Sequence, residues 1–304
     1  MILADWSKRF LRNYCRRGSY TVENTTGLRG FTIVVAGKGG TGKTLVSALL
    51  VKDQVKHGAL LAIDADPDCN LAEALGVSVP HTVGHVRESL LTYKTRRTEN
   101  STVTAEKIFE QGIMEAIAEN RGFDLLVMGR GEGEGCYCAV NHILRSVINT
   151  QTRNYATVII DSEAGLEHIS RRTARDVDVM LVVTDTSARG VTTARRVREL
   201  ADQLKVTFGR ILLLANKMTA PTEEIIVHHA AEADLELVGV LPFDQQVAHN
   251  DALGKSIWEL TADCPMLVAF KDVCSRLDVI RKDKARTMGI HGGARTETVT
   301  HEVT

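Results

Sequence analysis

The chain has 304 residues, of which 44% are hydrophobic and 25% are charged, and its formal net charge is −1. This length allows one large α/β domain or two small ones, and the balanced charge argues against a nucleic-acid partner. No apolar run approaches the roughly 20 residues of a membrane span, and the N-terminus lacks the apolar core of a signal peptide. We therefore expect a cytoplasmic protein, in which the six cysteines are free thiols or metal ligands rather than disulfides.

Residues 1–30 differ from the rest of the chain because basic side chains alternate with aromatic ones. Trp6, Phe10 and Tyr14 share helical spacing, which would allow a basic amphipathic helix at an anionic membrane or an acidic partner. Chain ends are commonly poorly ordered. We therefore favour the alternative, a poorly ordered N-terminal extension over residues 1–30, and do not expect membrane binding.

Strand-like and helix-like segments alternate from Phe31 onward. Seven short segments are rich in Leu or β-branched residues and nearly continuous in hydrophobicity, which is typical of parallel strands buried on both faces. The predicted strands are residues 31–36, 60–64, 124–128, 157–161, 179–184, 210–216 and 237–241. Helical periodicity lies between them, and a final helix is entered through Pro265. We predict an α/β fold, doubly wound around a mostly parallel sheet, over residues 31–282, with a disordered tail at 283–304.

The first predicted strand leads into a glycine-rich segment with the pattern G-x-x-x-x-G-K-[ST]. Its residues are Gly37, Lys38, Gly39, Gly40, Thr41, Gly42, Lys43 and Thr44, followed by Leu45 in a predicted helix. Glycines let the backbone direct N–H groups at phosphate oxygens, and a helix N-terminus favours anions. We expect Lys43 to reach the β- and γ-phosphates and Thr44 to ligate Mg²⁺. The motif and its strand–helix context predict nucleoside triphosphate binding.

Aspartates end two of the predicted strands, where ligands of an open parallel sheet bind. Asp66 follows the second strand, and a carboxylate there could activate the attacking water. The alternative is a helix cap, and we favour the catalytic role for Asp66; the assignment of Asp64 stays open. Asp161 ends the fourth strand as the aspartate of a Walker B motif does, and is predicted to hold Mg²⁺.

Lys38 is a second lysine that an ordinary phosphate-binding loop does not need. With it, the loop resembles the deviant Walker A P-loop NTPases of the SIMIBI class, such as MinD, ParA and the nitrogenase iron protein. The resemblance implies that Lys38 contacts phosphates across a homodimer interface and that Asp66 activates water. It also implies that the N–H of Gly165 reaches the γ-phosphate.

The same resemblance implies that two later strand ends contact an adenine base. The residues concerned are Asn216, Lys217, Pro242, Phe243 and Asp244. The guanine-specific pattern is not present, because Met218 and Thr219 follow Lys217. ATP, ADP and Mg²⁺ are therefore the expected nucleotides and cofactor.

A C-x-C pair, Cys136 and Cys138, follows the glycine-rich residues 129–135. Two thiolates cannot fill a tetrahedral four-sulfur site, but two copies related by a twofold axis could, for Ni²⁺ or Zn²⁺. The alternative is a pair of ordinary buried cysteines. We favour the metal site because the pair lies in a predicted dimerising ATPase. His142 could be a further ligand, but we favour a solvated or supporting histidine.

The sequences Gly-Cys-Tyr-Cys, Asp-Ala-Asp-Pro-Asp and Asp-Ser-Glu-Ala-Gly-Leu-Glu-His together resemble the CooC family. The resemblance covers about residues 31–282. It implies an ATP-hydrolysing homodimer that binds nickel at the Cys136 and Cys138 pairs and assists its insertion into carbon monoxide dehydrogenase, or into a related client such as acetyl-CoA synthase. Two alternatives remain open at this stage: a MinD- or ParA-like dimerisation switch without metal cargo, and an iron–sulfur ATPase of the iron-protein type.

Overall fold

The computed structural model describes residues 30–96, 105–129, 154–162, 177–185, 192, 195, 196, 199, 208–219 and 222–287. The described strands are β1 (Phe31–Gly37), β2 (Leu60–Asp64), β3 (Ile117–Glu119), β4 (Phe123–Val127), β5 (Thr157–Asp161), β6 (Val179–Thr184), β7 (Arg210–Met218) and β8 (Glu236–Pro242). The described helices are α1 (Lys43–Gln54), α2 (Asn70–Ala74), α3 (Val83–Arg96), α4 (Ala105–Ala116), α5 (Glu223–Glu232), α6 (Gln245–Ala252) and α7 (Pro265–Thr287).

The eight described strands form one sheet in the order β3-β4-β2-β5-β1-β6-β7-β8. Every neighbouring pair is parallel except β3 and β4. Strands β1, β2, β4, β5 and β6 are buried along their whole length, because helices and apolar core cover both faces of the sheet. The predicted doubly wound α/β fold is confirmed.

The position of β1 locates the ligand-binding edge of this sheet. The chain builds β2 to β5 on one side of β1 and β6 to β8 on the other. In an open parallel sheet, the crevice for ligands opens at the carboxyl ends of the strands where the winding direction changes. The carboxyl ends of β1, β2 and β5 therefore lie together at this edge.

Two details of the predicted architecture were wrong. The sheet has an eighth strand, the antiparallel β3, whose three residues, two half-buried and one exposed, carry too short a pattern to be recognised. The final helix begins at Pro265 as predicted, but it continues to Thr287, so the predicted domain boundary at residue 282 falls inside it. Lys284 holds this last part of α7 against the sheet, since its Nζ donates to Asp178 Oδ2 at 2.7 Å and to the Gly30 carbonyl at 3.2 Å.

The remainder of both predicted chain ends, residues 1–29 and 288–304, lies outside the described residues. In the part of the chain that the structure describes, no helix combines the length and the apolar character needed to span a membrane.

Candidate active site

The loop between β1 and α1 carries the predicted phosphate-binding residues. Gly37, Gly40 and Gly42 have positive φ angles of 150°, 83° and 90°, which side-chain-bearing residues rarely adopt. A Cβ on Gly37 would overlap the Val183 carbonyl of β6, whereas a Cβ on Gly40 would meet nothing within 4 Å. The loop is thus packed against the sheet on one side and open on the other.

Two features of this loop define its turn and its junction with α1. The side chain of Thr41 is completely buried, and its Oγ1 donates to the Lys38 carbonyl at 2.8 Å, which closes the turn. The N-cap of α1 is Gly42, and no side chain among the described residues caps this helix. The N–H groups of its first turn are therefore available to an anion.

Lys43 and Thr44 are the first two residues of α1, as the motif predicts. The Lys43 side chain is buried, with 8% of its surface exposed, next to the carboxylate of Asp161 at the end of β5. One turn later in α1, Ser47 Oγ donates to Asp161 Oδ1 at 3.0 Å. The other oxygen, Oδ2, is buried and has no hydrogen-bond partner among the described residues.

The unpaired Oδ2 of Asp161 indicates whether the residues of this site are suitable ligands for Mg²⁺. A carboxylate oxygen and the nearby Thr44 hydroxyl are the hard donors that Mg²⁺ prefers, and a bound cation would satisfy the oxygen that the protein leaves unpaired. The donors present therefore fit the ion. Asp161 and Thr44 would hold it, and it would supply charge neutralisation on the phosphates.

Asp64 and Asp161 form a pair of buried carboxylates on neighbouring strands. They are register partners between β2 and β5. Burial, followed by the charge of Asp161, raises the pKa of Asp64 to about 7. Burial also raises the pKa of Asp161 to about 6, against the opposing effects of the Thr44 and Ser47 hydroxyls and the charge of Lys43. The protein thus concentrates negative charge where a cation is expected.

Asp66 lies on the segment between β2 and α2, which starts from this pair. Both ends of the segment are held by Asp64, whose Oδ1 accepts from Asp66 N–H at 3.2 Å and whose Oδ2 accepts from Leu71 N–H at 3.0 Å. The Asp66 carboxylate is half-buried and accepts from the backbone N–H of Asp68 at 3.0 Å. The predicted acid thus lies near Asp64 and Asp161, and its role in activating water stays a prediction.

The structure brings together the two strand ends that were predicted to contact adenine. The Phe243 N–H, just after β8, donates to the Met218 carbonyl at the end of β7 at 2.8 Å, following Pro242. The Phe243 side chain is 52% exposed, so it is available to a base. The Asn216 side chain is completely buried and its Nδ2 donates to the Thr41 carbonyl at 2.9 Å, so its reading of adenine stays a prediction.

Asp244 has a structural role that its predicted contact with adenine did not anticipate. Its Oδ1 accepts from two N–H groups of α6, those of Gln246 at 2.8 Å and Val247 at 3.3 Å. Its Oδ2 accepts from Met266 N–H of α7 and from Cys264 Sγ, both at 3.1 Å. The carboxylate is 6% exposed and both its oxygens accept from these helix starts. The contact of Asp244 with adenine stays a prediction.

Sequence reasoning missed Ser47 as a member of the site. Its signal was weak: a small polar residue in an otherwise apolar helical turn that faces the sheet. Several predicted residues could not be placed, because they lie outside the described residues: Gly165, Cys136, Cys138 and His142. Within the described ranges, no group of three or more His, Cys, Asp or Glu side chains could hold a metal ion.

The pair of raised carboxyl pKa values predicts a pH-dependent stability. Both values lie above the unfolded value of 3.8, so between about pH 4 and pH 7 the folded protein binds more protons, and its stability falls as pH rises. For Asp64 alone, we expect the free energy of unfolding to drop by about 2 kcal/mol between about pH 5.5 and pH 7.5. Urea unfolding of metal-free, nucleotide-free protein measures this drop. The Asp64→Asn variant should lose most of it, and an unchanged slope would contradict the assignment.

Comparisons with known proteins agree with this geometry. The CbiA family model, described as the CobQ/CobB/MinD/ParA nucleotide binding domain, matches residues 32–257. An uncharacterised ATP-binding protein of Methanocaldococcus jannaschii is 43% identical over 246 residues, covering 81% of this chain and 97% of that protein. The carbon monoxide dehydrogenase accessory protein CooC of Rhodospirillum rubrum is 32% identical over 242 residues, covering 76% of this chain and 91% of that protein.

Solved structures show the same fold. The cell division ATPase MinD of Pyrococcus furiosus has a TM-score of 0.63 and 21% identity, covering 83% of this chain and 99% of that chain. MinD of Pyrococcus horikoshii, complexed with Mg-ADP, has a TM-score of 0.62 and 20% identity, covering 85% and 100%. The family match, the curated relatives and the phosphate loop lead to one conclusion: the chain belongs to the CobQ/CobB/MinD/ParA nucleotide-binding family and is an ATPase.

Proposed function

We propose that this ATPase is a metallochaperone that carries Ni²⁺, or Zn²⁺, at the interface of a homodimer and delivers nickel to a client such as carbon monoxide dehydrogenase. The observation that carries the proposal is the Cys136 and Cys138 pair in a chain that is 32% identical to a carbon monoxide dehydrogenase accessory protein. Four thiolates from two protomers make a soft tetrahedral site. The metal is cargo and not part of the ATPase chemistry.

The coupling between nucleotide and metal would work through dimerisation. Lys38 is exposed at the outer side of the phosphate loop, where a second protomer could receive it. With ATP bound to both protomers, each Lys38 would contact the phosphates of the other, which brings the two cysteine pairs together. Hydrolysis assisted by Asp66 would remove the γ-phosphate, weaken this contact and let the dimer release its metal. Because metal binds only the assembled thiolate site, metal would in turn favour the dimer.

Anaerobic equilibrium dialysis against Ni²⁺ and Zn²⁺, with and without ATP, tests the proposal. We expect one metal ion per wild-type dimer and none in the Cys136→Ser/Cys138→Ser double variant, which should still bind nucleotide. Cys69→Ser is the matched control, because Cys69 Sγ donates to the backbone carbonyls of Asp66 and Pro67 and a serine hydroxyl can do the same. Light scattering of the same samples shows whether metal stabilises the dimer.

Two other experimental outcomes would favour a different function. If wild-type protein binds no metal in the presence of ATP, a MinD- or ParA-like dimerisation switch without cargo explains the site. If anaerobic reconstitution with iron and sulfide produces a brown chromophore that depends on the two cysteines, an iron–sulfur ATPase explains it. Metal binding that survives the double substitution would show that these cysteines are not the ligands.

A further inference from the structure

The end of β7 contacts the phosphate-binding loop through two consecutive side chains. Asn216 Nδ2 donates to the carbonyl of Thr41 at 2.9 Å. Lys217 Nζ donates to the carbonyl of Gly40 at 2.9 Å. We call these two residues the β7 clasp. Neighbouring side chains of a regular strand point to opposite faces, so two consecutive residues that reach one loop require a local change in the strand.

A bulge in β7 supplies that change. Ala215 pairs with Val240 and Met218 pairs with Pro242, so the chain advances three residues along β7 and two along β8. The extra residue lies within the clasp, where Lys217 has a φ of 58° in the left-handed region. The Asn216 Oδ1 accepts from the Lys217 N–H at 2.9 Å and stabilises this conformation. Bulges commonly redirect side chains next to functional sites, and this one directs both clasp residues at the loop.

Gly42 lies where the clasp comes closest to the loop backbone. A Cβ on Gly42 would overlap Asn216 Nδ2, and the φ of 90° at this glycine already disfavours any other residue. The second glycine of the phosphate motif is therefore also the point at which the clasp approaches the loop backbone. The Asn216 side chain occupies the space that a Cβ at position 42 would need, so a glycine at that position permits the close approach.

The clasp determines which way the loop peptide groups face. In a trans peptide the carbonyl and the N–H of the next residue point in opposite directions. Because Asn216 binds the carbonyl of Thr41, the N–H of Gly42 points away from β7. The open side of the loop, where a Cβ on Gly40 meets no atom within 4 Å, has no described side chain filling it. Fixing the Thr41 carbonyl against β7 thus leaves the Gly42 N–H available to a ligand before the ligand arrives. The Thr41 N–H, in the peptide that carries the Gly40 carbonyl, donates instead to the Lys38 carbonyl at 3.4 Å, so the Lys217 contact helps to hold the turn of the loop.

We infer that Asn216 and Lys217 are positioning residues for the phosphates: they hold the loop in its binding conformation and act on the nucleotide through the loop backbone. The inference does not depend on the metallochaperone proposal. It predicts that the clasp contributes to the binding of any polyphosphate, because its effect is exerted on the phosphate donors. A residue that reads the base would instead affect only nucleotides with that base.

The test compares the binding of Mg-ATP, Mg-GTP and inorganic tripolyphosphate to clasp variants by isothermal titration calorimetry. Asn216→Asp keeps the side-chain size but cannot donate to the Thr41 carbonyl, so we expect all three affinities to fall by the same factor, about tenfold. If only the ATP affinity falls, or the preference for ATP over GTP changes while tripolyphosphate binds normally, the residue reads the base and the inference is wrong.

Lys217→Asn decides the question if the first variant does not fold. Asparagine enters the left-handed region more readily than lysine, so the melting temperature without ligand should stay the same or rise. We expect the three affinities to fall about fivefold at the same time, because the contact with the Gly40 carbonyl is lost. A purely structural role would not separate stability from affinity in this way. Lys255→Asn, which removes an exposed positive charge beside Glu259, is the control and should bind all three ligands normally. Unchanged affinities in folded Lys217→Asn would overturn the inference.

Discussion

The Asp66→Asn variant is expected to hydrolyse ATP with a kcat about 10²- to 10⁴-fold lower than wild type, while its affinity for Mg-ATP changes by less than about threefold. Asparagine has nearly the same shape and can still accept the hydrogen bond from the Asp68 N–H, so the segment after β2 should keep its conformation. The amide cannot orient and deprotonate water as a carboxylate does. Phosphate release under single-turnover conditions, with binding measured separately, gives both quantities.

Asp68→Asn is the matched control for this prediction. Asp68 lies two residues further along the same segment and is exposed, so its substitution changes the local charge equally. We expect its kcat to stay within about twofold of wild type. If both variants lose activity to the same extent, the local charge and not a specific base would explain the result. Normal hydrolysis by Asp66→Asn would exclude Asp66 as the group that activates water.

The Lys43→Met variant is expected to bind Mg-ATP about 100-fold more weakly than wild type. Methionine preserves the buried aliphatic stem of the side chain but removes the ammonium group. The charge of Lys43 also lowers the pKa of Asp161, so its removal should favour the protonated, non-ligating form of that carboxyl. Phosphate binding and the cation site are therefore expected to weaken together, which titration with ATP at several Mg²⁺ concentrations would measure.

The Lys38→Met variant distinguishes the role of Lys38 from that of Lys43 in nucleotide binding. Lys38 is exposed, and its proposed contact is with the phosphates of the other protomer. We expect this variant to bind nucleotide within about threefold of wild type under conditions in which the protein is monomeric, but to lose ATP-dependent dimerisation. Equal losses of nucleotide affinity in both lysine variants would show that Lys38 acts within its own chain.

The phosphate loop and the buried strands are the parts of this protein that local sequence pattern predicts well. The positive φ angles at Gly40 and Gly42 can be adopted at low cost only by glycine. The residue types that the loop conformation requires are therefore adjacent in the sequence and form a recognisable motif. Strands β1, β2 and β5 are covered on both faces, which requires unbroken runs of apolar side chains. In each case the physical requirement lies within a few residues, and the sequence therefore shows it.

Contacts between distant residues decided the features that the sequence did not show. Asp244 follows a strand as a base-contacting residue would, but it caps α6 and the start of α7, and the partner Met266 is 22 residues away. Ser47 supports Asp161 across 114 residues. Lys284, beyond the predicted boundary in α7, contacts Asp178, which is 106 residues away. None of these partners is apparent until the sheet brings it into contact.

The sequence by itself determined the doubly wound fold, the ATP-binding loop and the acidic residues beside it, because each depends on residue types that are close together in the chain. The tertiary structure decided how those residues are supported. It buried Asp64 and Asp161 on neighbouring strands, and burial raises the pKa of both carboxyl groups. It also directed Asn216 and Lys217 at the carbonyls of the loop. Burial, register and peptide orientation arise only when strands pair, so sequence pattern could identify the site residues but not how the fold positions them.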